Sequence, residues 1–141
     1  MSKKTGPLAF DAFPLLVLFL KQTGWERVRE VLRAASLNGF SHVMSLINVG
    51  EVYYTLLRDH GESLAEEVLS QLSTFPIEII VPSYHQMIRA GHFKASGGLS
   101  YADCYAAALA VDRDIPVLTG DPEFSVVEQK GVKIEWLPPN R

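Results

Sequence analysis

Apolar residues along the chain fall into short runs of two kinds. Runs of three to five residues bounded by turn-forming residues are typical of buried strands, whereas longer segments with apolar residues every three or four positions are typical of helices. The predicted strands are residues 8–10, 41–45, 77–81, 115–118 and 133–137. The predicted helices are residues 13–21, 23–38, 47–60, 63–73, 83–94 and 101–111, with a further short helix after Asp121.

Polar residues and glycines mark where these helices begin and end. Ser, Thr or Asp stands before most of them, as expected of N-caps, and two are followed three residues later by glutamate in the capping-box pattern. The expected caps are Thr23, Ser63, Ser83, Ser100 and Asp121, with Glu26 and Glu66 completing the two boxes. Pro122 fits the first position of a helix, and Gly39 and Gly61 fit helix ends.

Strands that alternate with helices require crossover connections, which favour a mainly parallel sheet covered by helices on both faces. The length of 141 residues suits one domain, so we expect a single α/β domain over residues 1–141 with four to five strands. In open sheets of this kind, ligands bind beyond the carboxyl ends of the strands. The residues that follow the strands are therefore the first candidates for chemistry.

Composition and charge limit the partners and the compartment. The formal net charge of −3 counts against extended contacts with a nucleic-acid duplex, although a cluster of acids at one site also lowers it. The single cysteine excludes an intramolecular disulfide and favours a reducing compartment. Lys3 and Lys4 precede an apolar run at residues 15–20, as in a secretory signal. That run is too short for a bilayer, and Asp11 and Pro14 interrupt the stretch before it, so we expect a cytoplasmic protein without a membrane segment.

Four acidic residues are expected to meet at the carboxyl end of the sheet. Asp11 and Asp121 follow strands, Asp103 lies in the first turn of a helix, and Glu51 lies in the second turn of another. Each also has an ordinary explanation: an N-cap for Asp11 and Asp121, a capping box with Ser100 for Asp103, and a solvated helix face for Glu51. Their shared position, rather than any one of them, indicates a functional site.

Carboxylates that converge repel one another and are costly to desolvate, and a divalent cation removes both problems. Mg²⁺ and Mn²⁺ prefer carboxylate and water ligands. A cation held in this way can activate water towards a phosphodiester without a nucleophilic side chain. The sequence has no Ser/His/Asp or Cys/His arrangement that would supply such a nucleophile.

Other candidate residues are better explained by structure. Glu123 lies in the first turn after the fourth strand, where an acid stabilises the helix dipole. Asp112 fits a solvated turn, and His85 and His92 are seven residues apart rather than the three or four of a helical ligand pair. The apolar stripe at residues 53–57 is core by default, with an interaction groove as the alternative.

Four segments resemble the PIN-domain family, which includes the VapC-type toxin ribonucleases. They are LAFDAFPLLVLF around Asp11, SLINVGEVYYTLLR around Glu51, LSYADCYAAALA around Asp103 and PVLTGDPEF around Asp121. Their order and spacing match the family from near the N-terminus to about Phe124. The resemblance implies a three-layer α/β/α sandwich, Mg²⁺ or Mn²⁺ held by the four matching acids, and endonucleolytic cleavage of RNA. In the toxin branch it also implies a homodimer silenced by a small antitoxin protein.

The sequence departs from the family at one corner of this site. The family commonly has Thr or Ser after the first aspartate and a small polar residue next, where this chain has Ala12 and Phe13. Thr119 matches a hydroxyl position that could orient Asp121, although a turn residue at a strand end explains it equally well. The missing hydroxyl leaves open a catalytically silent PIN-like module that binds RNA or protein. A phospho-acceptor receiver domain is a further alternative, but it would require adjacent acids after the first strand, where only Asp11 stands.

Overall fold

The computed structural model of the protein describes residues 6–138, so the signal-like Lys3 and Lys4 lie outside the described residues. The strands are β1 (Ala9–Phe10), β2 (His42–Ser45), β3 (Ile77–Ile80), β4 (Val117–Thr119) and β5 (Ile134–Trp136). The helices are α1 (Ala12–Leu20), α2 (Trp25–Asn38), α3 (Leu46–His60), α4 (Glu62–Leu72), α5 (Tyr84–Ser96), α6 (Tyr101–Arg113) and α7 (Ser125–Glu128), and a 3-10 turn covers Pro122–Phe124.

The strands form one parallel sheet in the order β3-β2-β1-β4-β5. The central strand β1 pairs with β2 and β4, which places Ala9 beside Val43 and Val117. The predicted parallel sheet is therefore confirmed, with five strands. Because all strands run in the same direction, the carboxyl ends of β1, β2 and β4 lie side by side at one end of the sheet.

The two faces of the sheet pack against different helices, which gives the three predicted layers. Successive residues of a strand point to opposite faces. The strand residues in the core with α1 to α4 are Phe10, Met44 and Leu118, and those in the core with α5, α6 and α7 are Ala9, Val43 and Val117. None of the helices within residues 6–138 is both long and apolar enough to cross a membrane.

Two of the expected helix caps are wrong. Gly24, rather than Thr23, precedes α2, and it makes no side-chain cap hydrogen bond. Gly61 both ends α3 and precedes α4, so Ser63 falls inside the first turn of that helix. Both glycines have positive φ, which a residue without Cβ adopts freely. The start of each helix is fixed by a tight turn between consecutive helices, and a capping pattern in the sequence does not reveal such a turn.

The remaining three caps are confirmed. Ser83 and Ser100 accept the backbone N–H groups of Gln86 and Asp103, at 3.1 and 3.3 Å. Asp121 accepts the N–H of Glu123 at 3.0 Å and begins the 3-10 turn. These caps lie near the carboxyl end of the sheet and fix the first turns that carry its polar residues.

A buried histidine holds β1 against the neighbouring elements. Nδ1 of His42 accepts the backbone N–H of Leu8 at 3.0 Å, and Nε2 lies 3.0 Å from the carbonyl oxygen of Val31. Because Nδ1 accepts, Nε2 carries the proton and donates, and the ring is neutral. Burial also lowers the pKa of His42. The ring therefore ties β2 to α2 and to the start of β1, the strand that ends at Asp11.

Candidate functional site

The four acids predicted from the sequence all lie at the carboxyl end of the sheet. Asp11 directly follows β1, and Asp121 lies two residues beyond the end of β4. Glu51 lies in the second turn of α3 and Asp103 in the first turn of α6. Their charges act on one another. In addition to burial, the charges of Asp103 and Glu51 raise the pKa of Asp11, and the charge of Asp121 raises the pKa of Glu51. The structure thus places all four at one end of the sheet, within range of one another's charges, although they come from distant parts of the chain.

Asp11 is the most enclosed of these acids, with 2% of its surface exposed. One carboxylate oxygen, Oδ1, accepts the backbone N–H of Phe13 at 3.1 Å and so caps α1. The other, Oδ2, accepts the hydroxyl of Thr119 at 2.8 Å. The ordinary explanation of Asp11 as an N-cap is therefore correct, and the cap uses only one of its two oxygens.

Thr119 is fully buried and joins two of the acids. Its hydroxyl donates to Asp11 and accepts the backbone N–H of Asp121 at 3.1 Å. It therefore orients the main chain at Asp121 and the side chain at Asp11. The Asp11 carboxylate therefore has a hydroxyl partner on β4, although the residue directly after Asp11 has no hydroxyl.

Glu123 belongs to the same cluster, although the sequence pattern favoured a purely structural role for it. Carboxylate oxygens of Asp103, Asp121 and Glu123 all lie within 4.8 Å of one another. The 3-10 turn brings Glu123 back beside Asp121, with Asp121 accepting its N–H. The sequence indicates this arrangement by two acids, Asp121 and Glu123, that are separated by one residue just after a strand. Glu123 was instead assigned a role in stabilising the helix dipole.

Asn48 is a further polar residue of the site that the sequence analysis did not identify. It is fully buried, one helical turn before Glu51 on α3. Its Nδ2 donates to the carbonyl oxygen of Ala102 at 3.0 Å and lies 3.5 Å from Oε1 of Glu51. Its Oδ1 is buried and has no hydrogen-bond partner within residues 6–138. The three-residue spacing from Glu51 was the available signal.

Burial and mutual repulsion raise the pKa of three of these acids. Burial, and then the charge of Asp103, hold the pKa of Asp11 well above its usual value, although the hydroxyl of Thr119 acts in the opposite direction. Burial likewise raises the pKa of Glu51, while the amide of Asn48 lowers it. Burial, and then the charge of Glu51, raise the pKa of Asp103 to about 7.

This donor set fits a hard divalent cation. All of the convergent side-chain ligands are carboxylate oxygens, the type that Mg²⁺ and Mn²⁺ prefer. The raised pKa values of Asp11, Glu51 and Asp103 indicate that burial and mutual repulsion outweigh the hydrogen bonds that these carboxylates accept. A bound cation would provide that compensation, so the residues present fit the group that the sequence predicted.

The stability of the metal-free protein is expected to fall as pH rises from about 4 to about 7. The pKa of Asp103 is raised from 3.8 to about 7, so the folded state holds a proton where the unfolded chain has lost it. This contribution is fully present below the unfolded pKa and is lost as pH rises through the folded one. Thermal unfolding in EDTA measures the effect, and Mn²⁺ at pH 8 should reverse the loss. A metal-free protein equally stable at pH 5 and pH 7.5 contradicts the prediction.

Phe13 packs on the turn that leads to Asp121. A Cβ atom at Gly120 would lie 2.4 Å from Cε1 of the Phe13 ring, well inside van der Waals contact. Only a residue without a side chain therefore fits at position 120 while the ring keeps its place. The aromatic residue at position 13 thus covers the backbone between Thr119 and Asp121.

Residues that the sequence analysis placed outside the site make contacts elsewhere. Asp112 pairs with Arg89 at 3.4 Å and does not take part in the cluster. His85 and His92 are exposed on α5. The stripe at residues 53–57 is divided, because Leu56 is fully buried whereas Tyr54 and Leu57 are largely exposed.

Solved structures with the same fold include a toxin and a toxin–antitoxin complex. VapBC2 from Rickettsia felis, crystallised with a DNA fragment from its promoter, matches with a TM-score of 0.75 and 14% identity over 94% of this chain and 100% of that chain. VapC20 from Mycobacterium tuberculosis, a toxin that cleaves the sarcin-ricin loop, matches with a TM-score of 0.73 and 15% identity over 93% and 99%. DNA-bound VapBC from Salmonella typhimurium matches with a TM-score of 0.74 and 18% identity over 93% and 98%.

At identities this low, the structural matches show only that the fold is shared, and a comparison of sequences is needed to establish the family. The sequences of curated proteins contain no significant match to this chain. The family model of the PIN domain, however, matches residues 10–130. That range contains every acid of the cluster and most of the chain, which therefore belongs to the PIN-domain family.

Proposed function

We propose that this protein is a metal-dependent endoribonuclease and the toxin of a toxin–antitoxin pair. The observation that carries the proposal is the convergence of Asp11, Glu51, Asp103 and Asp121 beyond the carboxyl ends of β1, β2 and β4. Membership of the PIN-domain family and the fold shared with VapC toxins give that cluster its chemical class. The proposed substrate is RNA, and the proposed compartment is the cytoplasm.

In this proposal the four acids hold Mg²⁺ or Mn²⁺, and Glu123 extends the set. A cation bound there would supply activation of water and neutralisation of charge at a phosphodiester. Thr119 keeps Oδ2 of Asp11 in place and fixes the backbone at Asp121. Phe13 shields this turn on one side. The remaining chemistry needs no nucleophilic side chain.

A groove at the opposite end of the sheet supports an antitoxin partner. It has a volume of about 800 Å³ and lies between the end of α1, α2, the end of α4 and the segment before β3. Apolar side chains such as Phe19, Leu32 and Phe75 line it, together with the basic Arg29 and Arg33. An amphipathic segment with an apolar face and acidic flanks would fit this lining. One structure with this fold, from Klebsiella pneumoniae, is a toxin–antitoxin complex.

A homodimer is part of the same proposal. Large apolar side chains are exposed along the edge strand β3 and the helix after it: Ile79, Val81, Tyr84 and Ile88. Val81 and Tyr84 are 72% and 77% exposed. Large apolar side chains exposed on neighbouring elements are typical of interaction surfaces, so a second copy is the proposed occupant.

Two other functions have less support. The catalytically silent module rests on the hydroxyl missing after Asp11, but the Asp11 carboxylate is still held by a hydrogen bond, from the hydroxyl of Thr119. The receiver domain conflicts with the family match and with the scattered origin of the acids. Calorimetry separates the silent module from the enzyme, because absence of Mn²⁺ binding at millimolar concentration would favour the former.

The proposal is tested by cleavage of RNA with metal-stripped protein. Activity is expected to be absent in EDTA and restored by Mn²⁺ or Mg²⁺. Asp11→Asn retains the N-cap oxygen but removes the charge, so the loss should be at least the roughly 10–100-fold typical of an outer partner of a metal site. Asp59→Asn is the matched control, since Asp59 is exposed and paired with Arg58. Equal Mn²⁺-dependent cleavage by wild type and Asp11→Asn would refute the proposal.

A further inference from the structure

The side chain of Asn48 connects two helices that carry acids of the site. Its amide nitrogen donates to the carbonyl oxygen of Ala102, the residue directly before Asp103 on α6. The same nitrogen lies 3.5 Å from Oε1 of Glu51 on α3. One planar amide group therefore spans from the main chain beside Asp103 to the carboxylate of Glu51. These two acids come from segments that are far apart in sequence.

We propose that Asn48 is a positioning residue, which holds the carboxylate of Glu51 in register with Asp103 for cation binding. This inference rests on the proposed function and identifies a residue outside the four acids. The 3.0 Å bond to Ala102 anchors the amide, and the longer contact to Glu51 directs the carboxylate. An NH₂ group has two protons to donate, so it can serve both acceptors at once.

The amide oxygen of Asn48, Oδ1, argues against a role for this residue in packing alone. Oδ1 is buried without a partner among the described residues. An unpaired buried acceptor is destabilising, and an apolar side chain of the same shape avoids that cost. A residue at this position serving only the packing of α3 on α6 would be better apolar. An amide at this position provides hydrogen-bond donors to Ala102 and Glu51, and leucine would not.

The experiment compares Asn48→Leu with the wild type by calorimetry with Mn²⁺, RNA cleavage and thermal unfolding. Leucine keeps the branched shape and removes both donors. We expect thermal stability equal to or above that of the wild type, with affinity for Mn²⁺ lowered about 10–100-fold and cleavage lowered in parallel. Asn48→Asp, which keeps the shape but has no N–H, should be impaired at least as much. If Asn48 served only the packing of the two helices, the leucine variant would bind Mn²⁺ with the affinity of the wild type.

Asn38→Leu is the matched control. Asn38 also donates its amide to a helix carbonyl, that of Ala34 at 2.8 Å, but it is exposed at the end of α2. Its replacement should change neither metal affinity nor cleavage. Wild-type Mn²⁺ affinity in Asn48→Leu overturns the inference. That result is distinguishable from failure of the proposed function, in which Asp11→Asn would also behave as wild type.

A measurement on the unmodified protein covers the case in which the variants do not fold. The side-chain ¹⁵N–¹H resonances of Asn48 report on the group that faces Glu51. Saturation with Mg²⁺ is expected to shift them, because the cation draws charge from the carboxylate that accepts the bond. The exposed amide of Asn38 provides an internal reference that should not move. Unchanged Asn48 resonances in a protein that binds Mg²⁺ overturn the inference.

Discussion

Replacing Asp103 by asparagine is expected to abolish RNA cleavage and, at the same time, to stabilise the metal-free protein. The two effects have one cause. The pKa of Asp103 is raised to about 7 by burial and by the charges of Glu51, Asp121 and Glu123. Each unit of such a shift corresponds to about 1.4 kcal/mol against the charged form. Asparagine removes the charge that disfavours folding and with it the ligand that the cation requires.

This pair of effects separates a ligand from a structural residue, because loss of a structural residue lowers activity and stability together. Cleavage should fall more than about 100-fold, beyond the range typical of outer partners. Unfolding in EDTA at pH 7.5 should occur at a higher temperature than in the wild type. Asp112→Asn, on the same helix but paired with Arg89, is the control and should leave cleavage unchanged. A destabilised Asp103→Asn variant with intact cleavage would contradict both halves of the prediction.

The second large effect is expected from Thr119→Val. Valine fills the same volume but removes the hydroxyl that donates to Asp11 and accepts from the N–H of Asp121. Leaving those buried groups without a partner should cost about 1–3 kcal/mol of stability. Loss of orientation at both acids should lower metal affinity and cleavage about 10–100-fold.

Thr119→Ser distinguishes the hydroxyl from the packing of the methyl group. Serine retains the donor and acceptor, so cleavage and Mn²⁺ affinity should remain close to the wild type. The expected order of metal affinity is therefore wild type, then serine, then valine, measured by calorimetry. If valine and serine behave alike, the hydroxyl has no part in the site.

Most of the fold could be predicted from the sequence, because short apolar runs and helical periodicity are local signals. All five strands were identified, and the parallel arrangement followed from the helices between them. The starts of α2 and α4 could not be predicted, because Gly24 and Gly61 act through backbone conformation in tight turns. The strand order β3-β2-β1-β4-β5 depends on which strands pack together, and no local pattern reveals that.

The part of the candidate site that could be predicted from the sequence consists of acids near the ends of strands and the starts of helices. Asp11 and Asp121 lie within two residues of the ends of the neighbouring strands β1 and β4, so the parallel sheet places them at the same edge. Asn48 was missed because its partners are a carbonyl group on another helix and a carboxylate one turn away. Glu123 was assigned to the helix dipole, although the turn after Asp121 brings it within 4.8 Å of two other acids. Both depend on tertiary contacts rather than on spacing in the chain.

The contact between Phe13 and Gly120 links the residue types that positions 13 and 120 can hold in homologous sequences. The ring occupies the space that a Cβ atom at position 120 would need. The two positions are therefore constrained as one, although most of the chain separates them. An aromatic residue at 13 restricts 120 to glycine, whereas a small polar residue at 13 releases that restriction. Among homologues, we expect the two positions to covary.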